Sequence, residues 1–475
     1  MIRGYMKLGK SFSTRVRELF SLLPLPFFGL ALWRAWVNVS FAAPSGVTPL
    51  SLAASHRLFD IAMLVAFALM IAGARRFSPL NGRRWALRLC PGLMTLYSLV
   101  SAASMLWPSL GTLAPVFTAL AAAGSTLMVL LWSELYAGLT PLKVLLGLTG
   151  SYALASVLVF LLNGFYPAYY AGAVAMLPFA SIACLRRASR SVTLAHLRSC
   201  GRGTIPWRVV FVMALYGFAY GLSGVRMSDL SGVNSSFTTF CVAGLLFLAL
   251  AGLSDRLSFG AVQKLPPAFM VASLVLVSLS SLMGQVFLGV GLTAAMLLSY
   301  FFVDATLCDV ARRFGISAVW LFSIEETASM SAELLGGFVG DAVAVSPVGQ
   351  IPAFPVVLGA VLVAASLVAA VLLLSPKGLS QHWGVKFAEQ GALAVQDERQ
   401  KRQQAWVRLM AAQHRLSPRE EEVLELLVSN ESMRAIARKL TISEGTAKSH
   451  ASHIYEKLDL SGKKELQALA QAALR

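Results

Sequence analysis

The chain has 475 residues, 57% of them hydrophobic and 13% charged, with a mean hydropathy of +0.68. Soluble domains of ordinary composition are about 45–50% apolar and about 25% charged, so a mainly water-soluble enzyme and a disordered chain are both excluded. The formal net charge of +17 divides into +13 over residues 1–376 and +4 over 377–475, and ionisable residues are sparse in the first stretch and dense in the second. This break near Pro376 marks a domain boundary.

Within residues 1–376 apolar runs recur at a length that spans a bilayer, about 20 residues each. They are predicted at 19–42, 52–73, 86–107, 111–137, 142–162, 165–185, 208–226, 235–253, 266–283, 285–305, 316–340 and 352–375. The pair on either side of Asn163-Gly164 must form a tight outer hairpin. Loop charges orient the spans. Arg3, Lys7, Lys10, Arg15 and Arg17 precede the first, which places the N-terminus in the cytoplasm. Arg75, Arg76, Arg83, Arg84 and Arg88 mark the next inside loop. Lys143, then Arg186, Arg187, Arg190, Arg198 and Arg202, then Arg256 and Lys264, then Arg312 and Arg313, mark the following ones. Outside turns are nearly bare, apart from Arg226 and Asp229. The alternation requires an even number of spans and puts the C-terminal tail in the cytoplasm.

Charged residues inside spans are costly and usually face inward. Arg34 lies in the first span. Ser323, Glu326, Ser329 and Glu333 follow helical spacing in the eleventh and make one polar stripe. Arg34, Glu326 and Glu333 are therefore candidate ligand-binding residues, for an anionic or carbonyl-bearing small molecule. The alternatives are snorkelling for Arg34 and a structural ion-pair seam. Asp304, Asp309, Arg312 and Arg313 read as a structural cluster near the inner surface. Cys90, Cys184, Cys200, Cys241 and Cys308 are odd in number and form no C-x-x-C, so neither a disulfide framework nor a zinc site is expected. No nucleophile–base pair and no phosphate loop is present. No catalysis, cofactor or metal is expected.

The long basic loop at 186–207 divides the spans into two sets of six. Asn81-Gly82-Arg83-Arg84 in the first half and Gly252-Leu253-Ser254-Asp255-Arg256 in the second occupy matching loops. They resemble two eroded copies of the major facilitator superfamily loop motif. That resemblance, over residues 1–376, implies a two-half transporter-type bundle whose first span lines a central cavity.

Past Pro376 the chain turns polar. Glu389 to His414 is rich in Gln, Arg and Ala, with Leu393, Trp406, Leu409 and Met410 as apolar positions. It reads as a helical connector, either partner-binding or a solvated linker. Four capped helices follow. Ser417-Pro418-Arg419-Glu420 is a capping box with proline at the first helical position. Ser432, Ser443 and Ser461 are predicted to cap the next three helices. Only Thr441-Ile442 separates the second from the third, which makes a helix-turn-helix.

The run L-S-P-R-E-E-E-V-L-E-L-L from Leu416, with I-A-R-K-L-T-I-S-E-G-T-A-K-S-H from Ile436, resembles the LuxR-type DNA-binding domain. The resemblance implies that the third helix enters the major groove and the fourth dimerises. Carried over residue by residue, Ser443, Glu444, Gly445, Thr446, Lys448, Ser449 and His450 belong to the recognition helix. Lys457 and Lys463 lie where phosphate contacts are common. Ala447 stands where Val is usual, and Asn430 where Gly is usual.

The expected architecture is all-α: a polytopic bundle of about twelve spans at 1–376, a cytoplasmic connector at 377–414 and a four-helix LuxR-type domain at 415–475. The expected function is that of a one-component transcription regulator of the bacterial cytoplasmic membrane, with both termini in the cytoplasm. Its partners would be double-stranded promoter DNA, an unknown small molecule, membrane lipid, a second copy on DNA through the tail, and RNA polymerase. The alternative is an active secondary transporter with a regulatory tail.

Overall fold

The computed structural model describes residues 23–42, 52–104, 106–192, 207–224, 231–253, 283–347, 406–428 and 431–473. The chain forms two compact units, Met1–Phe387 and Ala388–Arg475. Among the described residues the regular structure is helical.

The first unit is built from α1 (Leu30–Ala42), α2 (Leu52–Phe77), α3 (Arg84–Ser104), α4 (Ala114–Tyr136), α5 (Pro141–Asn163), α6 (Pro167–Ser189), α7 (Trp207–Gly224), α8 (Ser231–Leu253), α9 (Met283–Phe314) and α10 (Ala318–Val345). Each covers one expected span. The spans expected at 266–283 and 352–375 lie outside the described residues, save for Met283 at the start of α9. Among the described residues six helices are long and apolar enough to cross a bilayer, from His56–Phe77 to Thr293–Arg312. Prolines open α5 and α6 at the first helical position, where no N–H is needed. Pro91 and Pro178 sit inside α3 and α6, which membrane helices tolerate because neighbours satisfy the freed carbonyl.

Lipid offers no hydrophobic drive between helices, so packing and interhelical hydrogen bonds hold the bundle. Indole and phenol donors supply them. Trp33 Nε1 donates to Ser125 Oγ at 2.7 Å, Trp36 Nε1 to Ser98 Oγ at 2.8 Å and Trp132 Nε1 to Ser181 Oγ at 3.1 Å. Tyr136 Oη donates to the Phe27 carbonyl at 2.8 Å. Apolar side chains such as Leu69, Phe160 and Leu245 point outward, as a lipid-facing wall requires.

In the first half α2 and α3 pack on α4, α3 packs on α6, and α1 packs on α5 and α6. In the second half α10 packs along α7, and α9 touches α7 and α8. Small residues allow the α7–α10 approach. A methyl group added at Gly221 would collide with the Glu333 carbonyl, and one at Gly336 with the Phe218 carbonyl. Across the halves α2 meets α10, and α5 meets α8 and α9. The α2–α10 seam is tied at both ends, by Ser317 Oγ to Ser78 Oγ at 3.0 Å and by the Arg57–Asp341 ion pair.

The second unit holds α11 (Pro418–Val428), α12 (Met433–Leu440), α13 (Glu444–Lys457) and α14 (Lys463–Ala473). Val423, Leu424, Leu427, Ile436, Ala447, Ala451, Ile454 and Leu466 close its core. A helical segment at 406–413 precedes them. Its Trp406 and Val407 are buried in the same core, with Met410 packed against it. The end of the connector is thus folded into the domain.

Candidate DNA-binding surface and bundle interior

The capping box forms. Ser417 N donates to Glu420 Oε2 at 2.7 Å, and Glu420 N to Ser417 Oγ at 3.3 Å. Ser432 Oγ accepts from Ala435 N at 3.3 Å, and Ser443 Oγ from Thr446 N at 3.0 Å. The fourth cap differs from expectation. Helix α14 starts after Gly462, whose carbonyl accepts from Leu466 N at 3.1 Å. The Ser461 hydroxyl instead donates to Glu465 at 2.6 Å. Ser461 stands one residue ahead of the cap position, and Glu465 also accepts from its backbone N–H at 2.6 Å.

Thr441 carries the turn between α12 and α13. It adopts φ 55°, ψ 47°, and two bonds seal the end of α12: Ile442 N to Ala437 O at 3.0 Å and Thr441 N to Arg438 O at 3.4 Å. This is the paired closure that left-handed helix ends use. It tucks Ile442 against the core and sets α13 off in a new direction.

Ala447, Ala451 and Ile454 face inward from α13, while Ser443, Glu444, Gly445, Thr446, Lys448 and Ser449 are exposed and His450 is half-buried. The N-terminal turn of α13 therefore presents free backbone N–H groups and short polar side chains on an open surface. Such an end attracts phosphate and can reach base edges. Lys448 Nζ sits 3.5 Å from Glu444 Oε1, and both are exposed.

The other two candidate lysines have internal partners. Lys457 Nζ donates to the buried Glu420 Oε2 at 2.7 Å, and Lys463 Nζ to the Glu431 carbonyl at 2.7 Å. Burial raises the Glu420 carboxyl, but the Lys457 ammonium and the Ser417 hydrogen bonds outweigh it and bring it from 4.5 to about 2. Sequence reading missed this pair, because Glu420 was fully accounted for by its cap.

Inside the bundle, the Arg34 guanidinium lies over the Tyr152 ring, 5.1 Å from its centroid, and its charge reaches Glu326 and Glu333. The structure thus brings the three candidate ligand residues into one neighbourhood. Tyr300 Oη donates to Glu326 Oε1 at 3.3 Å. Asp304, read from the sequence as part of a structural cluster near the inner surface, is 5% exposed and is hydrogen-bonded by Tyr300. Asp309 does pair with Arg312, at 3.0 Å.

Glu134 was also missed. It is 1% exposed, and its carboxylate accepts from Leu80 N, Asn81 N and Asn81 Nδ2 at 3.1, 2.7 and 3.0 Å. It pins the loop that carries Asn81-Gly82-Arg83-Arg84. Its signal was available, since it is the lone acid of an apolar span.

Comparisons with known proteins follow this division. Residues 414–470 match the GerE family, described as bacterial regulatory proteins, luxR family. The chain is similar to the crystal structure of a bacterial homologue of the iron transporter ferroportin in an outward-facing state. Identity is 15% and the TM-score 0.50, over 74% of this chain and 97% of that one. The same homologue soaked with iron gives 16% and 0.52, with the same coverage. At these identities the likeness shows the fold alone. No curated protein matches the chain.

Proposed function

We propose that this protein is a membrane-bound, one-component transcription regulator, in which a transporter-type bundle senses a small molecule and the C-terminal domain binds promoter DNA. The observation that carries the reading is the fusion itself: a LuxR-type helix-turn-helix and a multi-pass membrane domain of major facilitator fold in one chain. A DNA-binding domain attached to such a bundle has a use only if the bundle's state, or its position, bears on transcription. The neighbourhood of Arg34, Glu326 and Glu333 is the proposed sensing region. The tail would pair with that of a second chain on a two-fold operator and engage RNA polymerase there. The bundle would sit in the cytoplasmic membrane with both termini inside. A second reading, a transporter whose tail reports flux, is favoured by the coverage of nearly the whole transporter chain in the comparison. Substrate uptake into vesicles separates the two.

The test of DNA binding uses residues 388–475, which close a core of their own. This fragment should bind the promoter region of its own gene, and bind it better when artificially dimerised. Lys448→Ala should weaken binding and, for a phosphate contact, flatten the log–log salt dependence by about one unit. A changed sequence preference at unchanged slope assigns Lys448 to base readout. If the dimerised fragment binds no DNA at low salt, the regulator reading fails.

A further inference from the structure

Between Asp60 and Asp229 the chain carries a single acid, Glu134. That acid is 1% exposed, and the Leu80 and Asn81 amides occupy it. The same stretch gathers arginines at one end of the first half. Arg75 and Arg76 lie in the last turn of α2, and Arg83, Arg84 and Arg88 follow in the loop and the start of α3. Arg186 and Arg187 lie in the last turn of α6, with Arg190 just past it. All are exposed, and among the described residues none has an acidic partner. In the second half, by contrast, Arg312 is paired with Asp309.

The two groups share one surface. α3 and α6 pack on each other as spans of opposite direction, and Thr95 Oγ1 donates to the Ala175 carbonyl at 2.8 Å. Arg84 and Arg186 each lie eleven residues from that bond, towards the same end. At 1.5 Å per residue both sit about 16 Å from it, at one depth. The loop between α2 and α3 is fixed there, by Glu134 and by Arg83 Nη2, which donates to the Arg76 carbonyl at 2.8 Å. Like charges are thus crowded on a held backbone with no acid to relieve them.

Basic residues in loops suffice to orient spans. Two of these arginines stand instead on the lipid side of a helix. On α3, Trp85, Leu89 and Leu96 are exposed at helical spacing, and Arg88 stands beside them, one turn inside the helix. On α6, Met176, Phe179 and Ala183 form an exposed row that Arg187 continues. A charge facing lipid is costly unless it meets a headgroup. Trp85 is 41% exposed and edge-on to Phe77, with ring centroids 5.7 Å apart, and exposed indoles of this kind belong at headgroup depth. Further along the same face, Gly92 leaves open space where a side chain would stand, a notch for an acyl chain. Guanidinium forks grip phosphate with paired hydrogen bonds, and basic pockets between spans take lipid headgroups.

We propose that the ends of α3 and α6 form a binding site for an anionic phospholipid, whose phosphate is held by Arg84, Arg88 and Arg187 and whose glycerol region rests on Trp85. The occupant is a lipid because Trp85, Leu89 and Gly92 continue the site into the apolar wall. The site uses none of the residues of the proposed sensing region and does not depend on the regulator reading.

The experiment uses the full chain, purified in a non-ionic detergent and mixed with equal amounts of dioleoyl phosphatidylglycerol and dioleoyl phosphatidylcholine. Native mass spectrometry reads which lipid stays bound. Phosphatidylglycerol should be retained about tenfold more strongly, and Arg88→Gln with Arg187→Gln should remove most of that preference. Lys143→Gln, which deletes a cation elsewhere at the same end, should leave it unchanged. An equal loss in Lys143→Gln would assign the preference to net charge and sink the site. Should the double variant not insert, Arg88→Gln alone carries the test, since Arg75, Arg76, Arg83 and Arg84 remain to orient the spans, and its preference should fall as well. Phosphatidylglycerol should also raise the unfolding midpoint of the parent. If inorganic phosphate alone raises it as far, the site is one for free phosphate and the lipid proposal fails. Equal retention of the two lipids, or a preference that survives the arginine substitutions, overturns it too.

Discussion

Glu420 joins two roles in one side chain, closing the cap of α11 and receiving Lys457 from the end of α13. Its folded-state value of about 2 lies below the ordinary 4.5. The ionised carboxylate therefore stabilises the tail fully above about pH 4.5, and that contribution drains away as pH falls towards 2. Glu420→Gln should cost about 1–3 kcal/mol at neutral pH, and urea titrations should show the gap to the parent closing between pH 4.5 and 2. A gap that is constant with pH would remove the ion pair as the cause. The cap half of this arrangement was legible in Ser417-Pro418-Arg419-Glu420. The Lys457 half was not, because a contact between residues 37 apart leaves no periodic trace. The same holds within the bundle, where Glu326 and Glu333 were marked by their helical spacing but the Tyr300 hydrogen bond to Glu326, between residues 26 apart, was not.

At the level of elements, the segment 406–413, read from the sequence as the end of the connector, packs into the core of the domain that follows it. It ends the stretch from Glu389 to His414, which is rich in Gln, Arg and Ala, yet Trp406 is 9% and Val407 2% exposed within the domain. Replacing Trp406 by Ala should lower the stability of the 388–475 fragment by about 3 kcal/mol, read as a lower urea midpoint at unchanged slope. An unchanged midpoint would mean that the segment merely rests on the surface. Caps were the most readable elements, since Ser432 and Ser443 act through bonds three residues long. Ser461 did not, because the helix starts one residue later and Gly462 takes the cap position. The α7–α10 seam was invisible in the sequence because Gly217, Gly221 and Gly336 carry no side chain to count. Their meaning lies in a helix passing where a methyl group would stand.

For the whole molecule, hydropathy and loop charge outlined the spans because a bilayer demands both length and satisfied backbone groups. They also fix a prediction of sidedness. A phosphatase active only outside the cytoplasm, fused after Ser375, should be inactive, and a fluorophore that matures in the cytoplasm should light up there. An active phosphatase at that point would leave the tail on the wrong side of the membrane from DNA. The core that starts at Trp406 has one further consequence under the regulator reading. A freely diffusing factor finds its operator by sliding and hopping along the chromosome. This domain folds as a separate unit but stays on the same chain as the bundle, so its search is confined to a thin layer beneath the lipid. The operator must travel to it, and the timing of the response would follow the motion of the chromosome as much as the affinity of α13.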